Sequence, residues 1–274
     1  MKSIWKSIKN FDWKLWAVLC VTLLIPAAYQ TVRIFFLGDM PNDWGLNIAS
    51  QLAWVNLIYE IIQEAFILPL FFLLGKALDS KEELENKTRT GLLVSGGTYF
   101  ILSIIIVIFA RPLCQFMASD PNTLDATVHY IRLESIASTI SILVKYITVL
   151  LVTLKKEKYM YIILAVQTVL SIIFDMFLIS GLSFSAKLGV NGIAIANIIT
   201  SVVSITLVLL MLNKEGIILF QKRELDFSWL KDYGRIGLWS GLESFIRNIA
   251  FMLMVSRLVN VIAEQGNYWV ANNF

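Results

Sequence analysis

Leu164-Ala-Val-Gln-Thr-Val-Leu-Ser-Ile-Ile-Phe-Asp175-Met-Phe-Leu-Ile179, followed by Gly189-Val-Asn-Gly192-Ile-Ala-Ile-Ala-Asn197, decides how this chain is read. The first segment is apolar enough for hydrocarbon, yet it holds an aspartate. An ionised carboxylate at the centre of a membrane helix costs roughly 3 kcal/mol even on lenient insertion scales, so it rarely persists without a use or a partner. The glycine cluster reads as a helix entry that lets one backbone come close to another.

Outward from that stretch the chain keeps the same character. Of its 274 residues 57% are hydrophobic and 16% charged, and the mean hydropathy is +0.71. A soluble domain carries about 25% charged residues, so this composition excludes one. A helical crossing needs about 20 apolar residues. Seven such runs are present, at 15–37, 46–74, 91–110, 130–153, 159–181, 188–212 and 234–258. An eighth begins at Tyr268, and the chain stops inside it, which reads as a piece of a longer protein. The N-terminus and alternate loops (75–90, 154–158, 213–232) hold fifteen Lys and Arg, the other loops three. By the positive-inside rule, the N-terminus and the richer loops are cytoplasmic. The net charge of +3 therefore reports topology, with the bilayer as partner and no nucleic acid.

Several chemistries are absent from the pattern. Cys20 and Cys114 make no disulfide framework, and no Cys/His spacing suits a metal. No phosphate-binding loop appears. His129, the only histidine, falls at a span end without a general-base partner. An intramembrane transferase is therefore disfavoured, the expectation is no enzyme and no cofactor, and a non-transporting scaffold is the blander alternative. The first run lacks a cleavage site and reads as an uncleaved span. Trp5, Ile8, Trp13 and Trp16, set among lysines, suit an interfacial anchor.

Positions three and four apart share a helix face, and the intramembrane polar residues align by that rule. Gln30 pairs with Arg33 in span 1, and Asn56, Glu60 and Glu64 stack in span 2. Glu134, Ser138, Ser141, Lys145 and Thr148 stack in span 4, and Gln167, Thr168, Ser171 and Asp175 in span 5. Asn197, Thr200, Ser201 and Ser204 stack in span 6, and Ser240, Glu243, Ser244 and Arg247 in span 7. Span 3 has no such stripe, which places it away from the centre. Such faces serve either as packing seams or as walls of a polar cavity. Counted at about 1.5 Å per residue, Asp175 and Arg33 fall on the outer side of their spans and Glu64 and Lys145 on the inner side. Two ion pairs are thus expected, Arg33 with Asp175 and Glu64 with Lys145.

Ser171-Ile-Ile-Phe-Asp175 together with Gly189-Val-Asn-Gly192-Ile-Ala-Ile-Ala-Asn197 resembles the fifth and sixth helices of multidrug and toxic compound extrusion (MATE) transporters. The long 213–232 loop and the Phe227-Ser-Trp-Leu-Lys231 approach to a seventh span extend the resemblance over most of the chain. It implies an all-α polytopic membrane bundle, the six-helix first lobe of a twelve-helix, two-lobe transporter. The segments would be an interfacial cytoplasmic N-terminus (1–14), the first lobe (15–212), an inter-lobe linker (213–232) and the start of the second lobe (233–274), with the C-terminal lobe missing. It further implies export of amphiphilic drugs and xenobiotics across the plasma (inner) membrane, by alternating access, in exchange for Na+ or H+. The coupling site would be Asp175 with Ser171, Gln30, Thr200 and Asn197, and Arg33, Glu60, Glu64, Lys145, Glu243 and Arg247 would line the cavity or pair within it.

Two departures matter. Ser171 stands where the family often has asparagine, and Arg33, five residues before Gly38, stands where many members have an aspartate. A guanidinium beside Asp175 would hold it ionised, leaving a poor site for reversible protonation or for sodium. Arginines in the cavity would favour anionic substrates. The related lipid-linked oligosaccharide flippases share this fold, so flipping of an anionic lipid by way of Arg33 and Arg247 is the alternative function.

Overall fold

Backbone polar groups in hydrocarbon must be satisfied within their own segment, which makes long apolar runs helical. The computed structural model describes residues 13–38, 44–217, 219 and 224–273. Trp5, Ile8, the lysines before residue 13, and Lys222 and Arg223 of the linker lie outside the described residues. The helices are α1 (Trp13–Gly38), α2 (Trp44–Ser50), α3 (Leu52–Lys76), α4 (Lys81–Phe116), α5 (Leu124–Thr153), α6 (Glu157–Leu178), α7 (Val190–Lys214), α8 (Leu230–Phe251), α9 (Arg257–Val261) and α10 (Gln265–Asn273). A π-helical turn, Met252–Ser256, joins α8 to α9.

Six stretches are long and apolar enough to cross a membrane: Gly45–Lys76, Lys81–Phe116, Leu124–Thr153, Lys158–Leu178, Val190–Lys214 and Leu230–Val261. α1 adds a further helix of 26 residues. The protein is a multi-pass membrane protein. α4, at 36 residues, is about 54 Å long and outreaches a hydrocarbon core of about 30 Å. Its charged first turns therefore stand beyond the apolar zone, capped by Ser80, whose hydroxyl accepts from Glu83 N.

The closest pairings are α3 with α8, α4 with α5, and α5 with α7. Trp54, Leu70, Leu74, Tyr146, Ile147 and Leu150 fill the main core. A second, smaller core gathers Leu37, Ile48, Ala49, Tyr130, Ile179, Val190 and Ile193 where α1 and α2 meet α5, α6 and α7. Phe100, Ile104 and Ile108 on α4, and Val169, Ile173 and Phe177 on α6, are exposed at helical spacing. These faces suit lipid.

Glycine sets two close approaches. A Cβ on Gly192 would stand 2.6 Å from Ile179 Cγ2, so the glycine lets the start of α7 fold back on the end of α6. A Cβ on Gly237 would collide with the Ala65 carbonyl oxygen, and one on Gly241 would stand 2.8 Å from Ala65 Cβ, so α8 lies against α3 because both positions are bare. Polar contacts run along the same seam: Tyr233 OH donates to Phe66 O, Ser240 Oγ to Glu64 O at 3.0 Å, and Asn248 Nδ2 to Leu57 O at 3.2 Å. The seventh span thus packs directly onto the second.

The expectation that span 3 has no polar face is corrected. Ser95, Tyr99 and Ser103 recur every fourth residue along α4 and are all buried. Tyr59 OH and Ser103 Oγ lie 2.8 Å apart, Tyr99 OH donates to Tyr59 O, and Thr139 Oγ1 donates to Ser103 Oγ at 2.7 Å. Small hydroxyls in an apolar run carry little sequence signal, yet they bring α4 against α3 and α5.

Candidate functional site

Asp175, on the inward face of α6, is completely buried, and Arg33 of α1 is 6% exposed. Arg33 Nε donates to Asp175 Oδ2 at 2.9 Å and Nη2 to Oδ1 at 3.2 Å, the two-pronged geometry that suits guanidinium and carboxylate. Tyr29 OH also donates to Oδ2, and the Tyr29 ring lies under the guanidinium, 4.7 Å from its central carbon. Arg33 Nη2 reaches Asn197 Oδ1 at 3.2 Å, and Asn197 Nδ2 donates to Glu134 Oε1 at 2.7 Å. One hydrogen-bonded unit therefore joins α1, α6, α7 and α5.

The expected coupling residues divide around this unit. Asp175 and Asn197 are within it. Ser171 is buried one turn before Asp175. Gln30 lines an adjoining cavity of about 270 Å³ with Arg33, Asn56, Tyr130, Trp269 and Asn272. Thr200 is buried, and its hydroxyl has no partner among the described residues. Tyr29 and Glu134 belong to the unit but were not among the expected coupling residues. Tyr29 sits one turn before Arg33, and Glu134 heads the span-4 stripe, so helical spacing was the signal for both.

A second polar region lies between α3, α4 and α5. A cavity of about 320 Å³ is lined by Asn56, Tyr59, Glu60, Gln63, Tyr99, Ser138, Ser141 and Lys145. The expected Glu64–Lys145 pair does not form. Glu64 instead accepts from Arg247 Nη2, which also meets Glu60 at 3.3 Å, while Nη1 lies 3.7 Å from Glu243. Lys145 Nζ donates to Gln63 Oε1 at 2.6 Å. One residue along a helix is about 100° of rotation, which turns Gln63 toward α5 and leaves Glu64 facing α8. Among the described residues no three His, Cys, Asp or Glu side chains converge as a metal site.

Comparison with known proteins bears on this arrangement. Residues 73–177 match the MatE family model. That segment runs from the end of α3 through α4 and α5 to Phe177, and so includes Glu134, Lys145 and Asp175.

The likeness of residues 73–177 is to the MatE family.

The whole fold agrees. A solved chain named protein A matches with a TM-score of 0.77 at 17% identity, covering 94% of this chain and 58% of its own. An outward-facing multidrug resistance transporter of the MATE family and MOP superfamily matches with a TM-score of 0.66 at 18% identity, covering 86% of this chain and 52% of its own. The chain thus spans little more than half the length of these structures, and at such identities the likeness is one of fold. No curated protein matches. Tyr29 and Arg33 lie outside the MatE segment, so the side chains bonded to Asp175 come from a helix it does not cover.

Proposed function

We propose that this chain supplies the first lobe, and the opening span of the second, of a MATE-type secondary active transporter. It exports amphiphilic compounds across the plasma membrane by alternating access, in exchange for protons or sodium ions, with the N-terminus in the cytoplasm. The polar cavity inside the membrane-spanning bundle carries this reading. Eight polar side chains from three spans face one space of about 320 Å³, an arrangement that is costly in hydrocarbon unless water or a polar substrate enters. Three carboxylates, Glu60, Glu64 and Glu243, gather on Arg247, with Lys145 beside them. Of these charges only Glu60 and Lys145 line the cavity; together with the Arg247 cluster beside it the region keeps one net negative charge, which favours cationic over anionic substrates.

The flippase alternative needs cationic arginines. Arg33 is closed by Asp175 and Arg247 by its three carboxylates, so neither presents a free charge. The test is the full-length protein in proteoliposomes with ethidium inside and an imposed pH or sodium gradient. Gradient-dependent movement of ethidium supports export. Translocation of a pyrophosphate-linked lipid with no movement of ethidium would replace this reading with the flippase.

A further inference from the structure

We propose that Glu134, and not Asp175, is the carboxylate of the first lobe that takes up and releases a proton. The two acids share one hydrogen-bonded unit and one cation. Asp175 has that cation to itself: both guanidinium prongs and the Tyr29 hydroxyl converge on it, and charge-assisted donors of this kind stabilise an ionised carboxylate. Glu134 is just as deep, at 3% exposure, but makes no ion pair among the described residues. Its hydrogen bonds come from neutral groups, the Asn197 amide Nδ2 and the Tyr130 hydroxyl. A buried carboxylate without a cation is accommodated as the neutral acid.

The groups around Glu134 leave that assignment to it. On α5, Tyr130 is one turn away and 2% exposed. From α1 come Tyr29 and Arg33, from α6 Asp175, and from α7 Asn197. From α3 comes Tyr59, itself bonded to Ser103 of α4. Arg33 is the one cation in this set, and its Nη2 already divides its hydrogens between Asp175 and Asn197. With the proton on Glu134 the unit is electrically neutral. When the O–H bond breaks, the proton passes to water by way of the cavity that Tyr130 lines, and the unit is left with one negative charge. Ionised Glu134 then competes, through the Asn197 amide, for the Arg33 guanidinium. The ion pair is the principal polar tie of α1 to α6, so loss of the proton loosens α1 from α6 and draws it toward α5. Proton release thereby becomes a helix movement.

The proton assignment can be read without any substrate, and its link to transport rests on the function proposed above. Infrared difference spectra of the purified full-length protein, titrated across neutral pH, should show the carbonyl stretch of a protonated buried carboxylic acid. That band should be absent from E134Q, shifted in E134D and retained in D175N. A band that vanishes in D175N but survives in E134Q, or no such band in the parent protein, overturns the proposal. E134Q keeps the shape of the neutral acid and should fold with an unchanged melting temperature. In proteoliposomes, ethidium accumulation driven by a pH gradient should fall at least about tenfold in E134Q, a decade being about 1.4 kcal/mol of lost coupling, and E134D should recover part of it. Full accumulation by E134Q overturns the coupling role. If the parent protein moves no ethidium, the transport reading fails, and the infrared band still decides where the proton resides.

Discussion

Gln51 and Asn260 exchange both of their amide hydrogen bonds, Nε2 to Oδ1 at 2.9 Å and Nδ2 to Oε1 at 3.0 Å, across 209 residues of chain. Both are buried. Gln51 Oε1 also accepts from Trp54 Nε1 and Ser119 Oγ, and Asn260 Nδ2 also donates to Met117 O. The α2–α3 corner, the end of α4 and the end of the seventh span are therefore tied at one point. Because the groups left behind would be buried and unpaired, Gln51→Leu or Asn260→Leu should each cost about 1–3 kcal/mol. The double variant should cost less than the sum, as read by thermal unfolding in detergent.

Arg33 and Asp175 should behave as a buried pair in which either partner alone is worse than neither. Arg33→Met or Asp175→Leu should each lower stability by about 3–5 kcal/mol, and the double replacement should restore most of it. Equal loss in all three variants would mean that the pair does not set the position of α1.

Charge on the cavity wall at Glu60, and beside it at Glu64, should select substrates. Glu60→Gln with Glu64→Gln removes two negative charges and leaves Arg247 and Lys145 in excess. Ethidium export should then fall by about tenfold or more, since a change of 1.4 kcal/mol suffices and charge interactions in a protein interior exceed it. A neutral dye measured in parallel should be much less affected.

The α3–α8 seam should be intolerant of bulk at Gly237. Gly237→Ala drives a methyl into the Ala65 carbonyl and should destabilise by about 1–3 kcal/mol. Gly234→Ala meets nothing within 4 Å and should leave the melting temperature unchanged.

The segment before α8 should loosen in acid. The Ser228 backbone N–H, and then its hydroxyl, bond the Asp226 carboxylate and hold it below the ordinary carboxylate range. The Asp226 backbone is in turn clasped by Asn86. A depressed folded-state value means that this contribution is fully present above the unfolded value of about 3.9 and is lost as pH falls through the folded value. Proteolysis of this segment by an acid-active protease should therefore rise below about pH 4 in the parent protein. In Asp226→Ala it should already be high at pH 5 and rise little further.

The spans were legible because hydrocarbon permits few backbone solutions, and Asp175 was legible because a lone carboxylate there is so costly. The Arg33–Asp175 contact could be read from depth alone, since both residues sit on the same side of their spans and bear opposite charge. The same reasoning failed for Glu64. Depth places a residue along a helix but says little about the neighbour its face meets, and α8 proved closer than α5. Tyr29 and the α4 stripe of Ser95, Tyr99 and Ser103 were obscured for another reason: hydroxyls occur in apolar helices whether or not they carry anything.

The π-helical turn at Met252–Ser256 has a consequence for phase. Asn248 and Asn260 both face α3 and its start, the former bonded to Leu57 O and the latter to Gln51. Twelve residues of uninterrupted α-helix would set them about 120° apart. One extra residue in the turn takes back about 100° of that. The seventh span therefore carries two independently timed fingers on one shaft. Winding the turn into regular α-helix would rotate Asn260 away from Gln51 while Arg247 and Asn248 kept their grip.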